Sequence, residues 1–474
     1  MPGRIVEFNK RNAMNYTISG NIVDVVKGEI FEGKLTIENG KIASITRCTV
    51  SDNNYIIPGL VDAHVHIESS MLIPSEFARL ASVHGTVATI SDPHEIANVC
   101  GIEGVDYMIK NGNKVPFHFH FGAPSCVPAT GFETAGATLG PAEIEQLLSR
   151  SDVHYLAEMM NYPGVLFEDQ MVMEKLAIAK RLGKPIDGHA PGLTGQQAID
   201  YINAGISTDH ECFTYNEAKF KLENGMKILI REGSAAKNFE ALIDLIDEYP
   251  AHIMFCSDDK HPDDLVRGHI NLLIKRALAK GKDFIQVLRA TTLNPVNHYK
   301  MTNGLLQVGD SADFAIIDNP QSFNVQATYV SGEKVAEKGK SLIESISEKT
   351  INHFNCQPIK LEELKLTLDA GQHRAIEVID QQIVTDEFKF EHNGGEFNSS
   401  TEKDLLKIVV YNRYQPAKAA IALVHNTGLQ KGAIASTVAH DSHNIIAIGT
   451  NDADLLKAIN AMVQSEGGVC AVLG

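Results

Sequence analysis

Short apolar runs alternate with helix-period stretches through the middle of the chain. The apolar runs are rich in β-branched residues and predict eight strands, at residues 59–64, 86–91, 115–122, 153–159, 185–189, 207–212, 226–231 and 253–258. Helix patterns lie between or after them, at residues 75–84, 143–150, 169–182, 195–204, 215–224, 238–248 and 263–280. Repeated strand–helix alternation predicts an α/β fold, a parallel (β/α)8 barrel. Doubly wound sheets give the same local alternation, so the pattern favours the barrel without excluding an open sheet.

The segments on both sides of this region are turn-rich strand patterns. Residues 16–57 contain strand patterns and an Asn39-Gly40 hairpin signal. Strand patterns return at residues 304–308, 312–317 and 325–330. We therefore expect residues 1–57 and 304–345 to build one small composite β domain beside a catalytic barrel at residues 58–303.

A third region follows at residues 355–474. It carries strand patterns at 374–378, 388–392, 406–411 and 445–449, and a helix pattern at 452–465. The segment 469–474 is also strand-like, and the chain stops there. We expect a C-terminal α+β domain.

Composition narrows the classes of partner. The 474 residues carry 42 Lys and Arg against 59 Asp and Glu, a formal net charge of −17. Such a surface repels polyanions, so we expect no nucleic-acid or membrane partner. The 7 cysteines are dispersed without a CxxC spacing, and the first residues show no signal segment. We expect free thiols, a cytoplasmic location and, by default, a homodimer.

Candidate metal ligands fall where the predicted barrel strands end. Active sites of such barrels lie at the carboxyl ends of the strands. The residues found there are His64 and His66, Glu158, His189, His210, and Asp258 with Asp259. Residues i and i+2 of a strand share a face, so His64 and His66 can reach one metal ion. Four imidazoles and at least two carboxylates at one rim suffice for two divalent metal ions.

Several motifs carry a resemblance to a known family. The segment 56–66 reads Ile-Ile-Pro-Gly-Leu-Val-Asp-Ala-His-Val-His, and it resembles the entry motif of the amidohydrolase superfamily. The finer resemblance is to the bacterial-type adenine deaminases, through residues 67–71, 92–98, 187–192, 208–211, 256–259, 290–295 and 440–444. The resemblance runs from about residue 16 to the end. Because members of this family usually continue further, it implies that the C-terminal domain of this chain is cut short. The resemblance implies metal-dependent hydrolysis of adenine to hypoxanthine and ammonia.

The resemblance also implies roles for individual residues. The metal ligands are then His64, His66, Glu158, His189, His210 and Asp258. Glu158 is expected to bridge the two ions, and Asp258 to take the proton from the attacking water. The ions are expected to be manganese, with iron and zinc as alternatives.

Residues near these ligands have more open roles. Glu95 is our candidate for protonating the purine ring, and a surface or supporting carboxylate is the competing interpretation. His94 and Glu211 are candidate substrate contacts. Glu211 and Asp259 are alternatively groups that orient the metal ligands.

Two further histidine pairs have weaker signals. An HxxH pair such as His440 and His443 suggests a metal, but without further ligands we favour structural or loop-ordering roles. His118 and His120 alternate within the third predicted strand, which favours barrel packing or a position supporting the metal ligands.

Two alternative functions stay open at this point. One is a different amidohydrolase acting on cyclic amides or amidines, and the other is a non-catalytic relative that keeps the barrel without the chemistry. A non-catalytic relative is expected to lose ligands, and all six candidate ligands are present.

Overall fold

The computed structural model describes residues 15–380 and 384–474, which form two compact units. The first unit runs to Asp92 and includes Met108–Ala123 and Glu145–Glu348, and the second comprises Pro93–Tyr107, Pro124–Ile144 and Lys349–Gly474. The expectation of no signal segment falls largely on residues 1–14, which lie outside the described residues. No helix in the described parts of the chain is long and apolar enough to cross a membrane.

The strands follow the chain in four groups. Before the barrel come β1 (Tyr16–Asp24), β2 (Glu29–Glu38), β3 (Lys41–Arg47) and β4 (Tyr55–Pro58). The barrel strands are β5 (Leu60–Val65), β6 (Thr86–Ser91), β7 (His118–Phe121), β8 (Leu156–Met159), β9 (Ile186–Gly188), β10 (Thr208–Asp209), β11 (Lys227–Arg231) and β12 (Ile253–Cys256). After the barrel come β13 (Phe314–Ile317), β14 (Val325–Val330), β15 (Glu333–Glu337) and β16 (Lys340–Ser341). The C-terminal strands are β17 (Thr367–Val378), β18 (Thr385–Glu396), β19 (Leu405–Tyr411), β20 (Ala420–His425), β21 (Ala433–Ser436), β22 (Ile445–Gly449) and β23 (Val469–Val472).

The helices lie mainly between and after the barrel strands. They are α1 (Pro74–Ala81), α2 (His94–Gly112), α3 (Pro141–Leu148), α4 (Tyr162–Leu166), α5 (Gln170–Arg181), α6 (Gly195–Asn203), α7 (Tyr215–Glu223), α8 (Phe239–Leu242), α9 (Leu245–Glu248), α10 (Pro262–Arg267), α11 (Ile270–Ala279), α12 (Phe284–Ala290), α13 (Leu293–Tyr299) and α14 (Asp452–Ser465). The sequence pattern predicts no helix over 94–112, where Gly101 interrupts the helical backbone. The predicted helix 263–280 is two helices that meet near Gly268.

Strands β5 to β12 close into a ring of parallel strands. Parallel pairing joins β5, β6 and β7, then β8 and β9, then β10, β11 and β12. Backbone hydrogen bonds of 2.9 Å join these pieces: Ala123 N to Tyr155 O, Ser207 N to Ile186 O, and Asp258 N to His64 O. Because the last bond links the eighth strand to the first, the sheet is closed, and the barrel prediction is confirmed over the open sheet.

Side chains of the barrel strands alternate between two apolar layers. On β12, Met254 and Cys256 belong to the cluster inside the barrel, whereas Ile253 and Phe255 belong to the layer that packs against the helices. This period of two is the normal consequence of strand geometry. On β11 the same period places Arg231 on the inner face, at the carboxyl end.

One eight-stranded sheet combines the strands on both sides of the barrel in sequence. Its order is β16-β15-β14-β13-β4-β1-β2-β3. Strand β13 therefore pairs with β4, although all the barrel strands lie between them in the sequence. The predicted strand 304–308 is wrong. Its backbone groups are used in a turn, where Gly304 N donates to the Asp313 carboxylate (2.9 Å) and Leu305 N to the Asp310 carboxylate (2.8 Å).

The C-terminal strands form a seven-stranded sheet covered by α14. The sheet order is β18-β17-β20-β19-β22-β21-β23. Helix α14 buries a stripe at Leu455, Ala458, Ile459 and Met462 against this sheet. Its N-cap residue Asn451 accepts a hydrogen bond from Asp454 N at 2.9 Å.

Candidate metal centre

The structure brings the six predicted metal ligands together within the first unit. His64 lies on β5 and Glu158 on β8. His66, His189 and His210 directly follow β5, β9 and β10, and Asp258 lies two residues after the end of β12. The carboxyl ends of parallel barrel strands meet at one rim. All six side chains are buried except that of His189, which is 26% exposed.

Glu158 lies between two groups of imidazoles. Its Oε1 is 3.3 Å from His66 Nε2. Its Oε2 is 2.7 Å from His189 Nδ1 and 3.2 Å from His210 Nε2. Each carboxylate oxygen therefore faces a different set of nitrogens, which is the arrangement that a bridging ligand requires.

Asp258 faces the two histidines of β5. Its Oδ1 lies 3.5 Å from His64 Nε2 and 3.3 Å from His66 Nε2, and the two Nε2 atoms are 3.1 Å apart. The backbone of Asp258 is in the left-handed region, with φ 54. Non-glycine residues in this region are uncommon and cluster at functional sites, so this conformation is consistent with a functional placement of the carboxylate.

The donor chemistry fits a divalent cation. His66 Nδ1 lies 3.2 Å from Asp92 O. A carbonyl oxygen only accepts, so Nδ1 carries the proton and the neutral ring presents a lone pair at Nε2. That nitrogen faces one oxygen of Glu158 and one of Asp258, each at 3.3 Å. Three acceptors that converge in this way are satisfied by a cation between them.

The donor atoms fall into overlapping groups of metal-binding size. Donor atoms of His64, His210 and Asp258 lie within 4.8 Å of one another, and so do those of Glu158, His189 and His210. The mixture of imidazole and carboxylate suits manganese, iron or zinc.

Electrostatics keep both carboxylates ionised. Burial opposes ionisation of Asp258, but the charge of Arg231 and the hydrogen bond with His64 hold its pKa well below the usual range. Burial likewise opposes ionisation of Glu158, and the charge of His189 holds that pKa well below the usual range. Burial disfavours the charged form of His189, yet the charge of Glu158 raises the pKa of His189 to about 9. Two ionised, buried carboxylates are groups that could hold a cation at the rim.

Buried hydrogen bonds fix the backbone near β5 and β12. Asp62 accepts from Ser257 N at 2.9 Å, and its other oxygen lies 2.8 Å from His269 Nε2. The same carboxylate accepts from His64 N at 3.3 Å. These contacts tie together the chain segments that carry His64 and Asp258.

Arg231 contacts Asp258 directly. Its Nη1 donates to Asp258 Oδ2 and to Glu211 Oε1, and its Nη2 donates to Glu211 Oε2 at 2.9 Å. The guanidinium, 3% exposed, therefore holds both carboxylates at once. Arg231 is not among the predicted site residues, although a charged residue that ends an apolar strand on the inner face of a barrel is a usable signal.

Glu211 and Asp259 lie beside the predicted ligands. Glu211 Oε1 is 3.5 Å from His210 Nε2 and 3.7 Å from His189 Nδ1. Asp259 Oδ1 accepts a hydrogen bond from the Ser69 hydroxyl. Both placements are compatible with orienting neighbouring groups.

His94 and Glu95 begin helix α2, in the second unit. The Glu95 carboxylate contacts the imidazoles of His440 and His443. His94 Nε2 lies 3.4 Å from Glu95 Oε1. The HxxH pattern indicates both histidines of the C-terminal region, but it does not predict their contact with Glu95.

The histidines of β7 have partners other than the rim ligands. His118 Nε2 lies 3.0 Å from Asp313 Oδ1. His120 stacks on His154, with ring centroids 3.7 Å apart, and its Nε2 lies 3.2 Å from Tyr299 O.

Similarity to known proteins covers nearly the whole chain. The Amidohydrolase family model matches residues 55–335, and the Adenine deaminase C-terminal domain model matches residues 382–474. The chain is 55% identical over 455 residues to the adenine deaminase of Sulfurovum sp. (strain NBC37-1), which covers 96% of this chain and 84% of the relative. It is 49% identical over 460 residues to the adenine deaminase of Salinibacter ruber, with the same shares of the two chains.

A solved structure supports the fold. The β-aspartyl dipeptidase of Fervidobacterium islandicum AW-1 superposes with a TM-score of 0.52 and 16% identity, covering 72% of this chain and 100% of the dipeptidase. A family match over more than half of the chain, joined to the full-length relatives, shows that this chain belongs to the amidohydrolase family and, within it, to the adenine deaminases.

Proposed function

We propose that this chain hydrolyses adenine to hypoxanthine and ammonia, with the rim ligands as its metal site. The observation that carries the proposal is the convergence of four histidines and two carboxylates at the barrel rim of a chain 55% identical to a relative named adenine deaminase. Relatives with this name match at 47% to 55% identity, which disfavours a different cyclic-amide hydrolase. All six candidate ligands are present, which disfavours a non-catalytic relative.

The reaction sets three tasks for the protein. Water adds to C6 of the purine, the exocyclic C–N bond breaks, and ammonia leaves. A base must take a proton from the water, and acids must protonate a ring nitrogen and the departing amine. A divalent ion held at the rim activates water as a nucleophile near neutral pH.

The proposed ligand set is His64, His66, Glu158, His189, His210 and Asp258, holding two ions. Glu158 is the proposed bridge, supported by the separation of its contacts: His66 at one oxygen, His189 and His210 at the other. Manganese is the proposed metal, with iron and zinc as the alternatives that this donor set also accepts.

Asp258 is the proposed base for the attacking water. Its Oδ2 is occupied by Arg231, which leaves Oδ1 on the side of the imidazoles. Its depressed pKa makes it an ionised carboxylate at neutral pH. Arg231 acts here by orienting Asp258 rather than by touching substrate.

Glu95 is the proposed donor to the purine ring. Burial opposes its ionisation, but the charges of His443 and His440 hold its pKa well below the usual range. Glu95 is therefore a carboxylate at rest, and the two neighbouring imidazoles, when doubly protonated, are groups that can supply the proton it passes on. His94 and Glu211 are the proposed substrate contacts.

The wider setting is part of the same proposal. Deamination of adenine fits purine salvage. The seven cysteines are free thiols, which supports a reducing cytoplasm. We expect a homodimer, which sedimentation would test, and an organisation with a composite β domain (1–57 and 304–345), a barrel (58–303) and a C-terminal α+β domain (355–474).

A substrate screen tests the function. Manganese-loaded protein is offered adenine, guanine, cytosine and hydantoins, and product is followed by ultraviolet absorbance and ammonia release. Turnover of adenine above the other substrates is the expected result. If the protein hydrolyses a hydantoin or cytosine but not adenine, the proposed function is wrong and the protein is a different hydrolase.

A further inference from the structure

The second unit contains its own group of imidazole and carboxylate side chains. Glu95 belongs to the first turn of α2, and His440 and His443 belong to the loop between β21 and β22. Glu95 contacts both histidines, although His440 lies 345 residues and His443 lies 348 residues further along the chain. Ligands gathered from distant segments form a site only when the fold brings them together.

The three side chains point their donor atoms at one another. His440 Nδ1 contacts Glu95 Oε1, and His443 Nε2 contacts Glu95 Oε2. One donor atom from each residue lies within 4.8 Å of the other two. Glu95 is 2% exposed, so its charge is removed from water and must be compensated locally.

The proton on His443 is placed by its other nitrogen. His443 Nδ1 lies 3.1 Å from Thr437 O, an atom that can only accept. The neutral ring therefore carries its proton at Nδ1 and aims a lone pair from Nε2 at the Glu95 carboxylate. Two acceptors facing each other repel, unless the ring gains a second proton or a cation joins them. A carbonyl that fixes the tautomer in this way is the usual partner of a metal-binding histidine.

Further donors and an approach from solvent complete the group. His94 Nε2 lies 3.4 Å from Glu95 Oε1 and 3.5 Å from Asp441 Oδ1. The side chains of His440 and Asp441 are 32% and 25% exposed, so an ion can reach the buried carboxylate from their side.

We propose that Glu95, His440 and His443 form a further divalent-cation site, which shares no ligand with the barrel rim. Two imidazoles and one carboxylate leave a position for water or Asp441, a donor set that suits zinc and related transition-metal ions. Nothing in the proposal depends on the reaction at the rim.

One consequence does rest on the proposed function. An ion at this site holds Glu95 as a carboxylate and occupies the imidazole nitrogens that would supply its proton. If Glu95 protonates the purine, the ion inhibits deamination, and the site is then a point of regulation by metal.

Metal stoichiometry tests the site directly. The full chain is loaded with manganese, dialysed against a low micromolar excess of Zn²⁺, and analysed for total metal per chain. We expect wild type to hold one ion more than the double variant His440→Ala, His443→Ala. The matched control is His373→Ala, His392→Ala, a second histidine pair in the same unit with ring centroids 6.2 Å apart, which should keep the wild-type count.

A milder variant guards against misfolding. His443 is buried, whereas His440 is partly exposed, so His440→Asn should keep the fold. The same variant should measurably weaken binding of the extra ion. Circular dichroism and thermal unfolding check both proteins. Equal metal content in wild type and in folded variants would overturn the site.

Activity separates this inference from the proposed function. Wild type that gains the ion and loses deamination, while Zn²⁺ leaves His440→Asn at the activity that this variant has without Zn²⁺, supports the site and the role of Glu95. If wild type binds the extra ion and keeps full activity, the metal site is supported and Glu95 is not the proton donor.

Discussion

The two groups of histidine and carboxylate side chains are assembled in different ways. The rim ligands lie at or near the carboxyl ends of buried parallel strands, so one repeated feature of the barrel places all of them. The Glu95, His440 and His443 cluster joins the start of a helix to a loop 345 residues further along the chain. Sites at repeated positions of a fold can be read from periodicity. Sites made by distant segments need the tertiary structure.

The largest effect is expected at the rim itself. Replacing Asp258 with Asn removes the proposed base and one ligand, and His64→Asn removes another ligand. We expect deamination to fall by about 10²–10⁴-fold in Asp258→Asn, with metal content reduced in both variants. Steady-state kinetics and metal analysis measure these losses, and circular dichroism checks the fold. Near-wild-type turnover in both variants would refute the assigned ligand set.

A smaller effect is expected at Arg231, which contacts a proposed ligand without being one. Arg231→Gln frees Asp258 Oδ2 and leaves Glu211 without its guanidinium. We expect a loss of about 10–100-fold in activity or metal affinity, and a lower thermal midpoint, because breaking a buried ion pair destabilises a protein.

Arg231→Lys sharpens this prediction. A lysine keeps the charge but loses the fork that holds two carboxylates, so partial rescue is expected. A fall in the thermal midpoint with kcat and metal affinity unchanged would make Arg231 a purely structural residue.

Asp313 offers a carboxylate that the rim does not use. It accepts from Ser331 N at 2.7 Å and Gly304 N at 2.9 Å, and it lies 3.0 Å from His118 Nε2. Burial opposes its ionisation, but the hydrogen bond and charge of His118, with these backbone donors, lower its pKa. Asp313→Asn should cost about 1–3 kcal/mol, because an amide cannot accept with both of its ends.

The pH dependence of this cost has a definite sign. A carboxylate with a depressed pKa in the folded state contributes stability above its unfolded pKa near 4, and this contribution is lost as pH falls through the folded value. Urea midpoints should therefore fall more steeply on acidification in wild type than in Asp313→Asn. If the urea midpoints of the two proteins fall in parallel with pH, ionised Asp313 does not stabilise the fold.

The smallest effect is expected at His118. Its partner is Asp313 and its side chain is 32% exposed, so His118→Asn should cost at most about 1 kcal/mol. Deamination per folded molecule should stay at the wild-type level. A large loss of bound metal in this variant would instead show that β7 contributes a metal ligand, in addition to the six residues at the rim.

The sequence was most informative where position follows from topology. Strand 207–212 was predicted too long, since β10 is Thr208–Asp209, yet His210 still lies at the rim because the strand end sets its place. The predicted strand 304–308 failed because Asp310 and Asp313 capture its backbone donors, and apolar spacing does not register such contacts. The partnership of Glu95 with His443 depends on docking between distant segments, which no local pattern encodes.

The most direct test of the account is ammonia release from adenine, measured side by side with manganese-loaded and chelator-treated protein. We predict steady release by the loaded protein, near-complete loss after chelation, and recovery when manganese is returned. Release that is unchanged by chelation, in protein verified to be free of metal, would contradict the central claim that the rim of histidines and carboxylates works through bound metal.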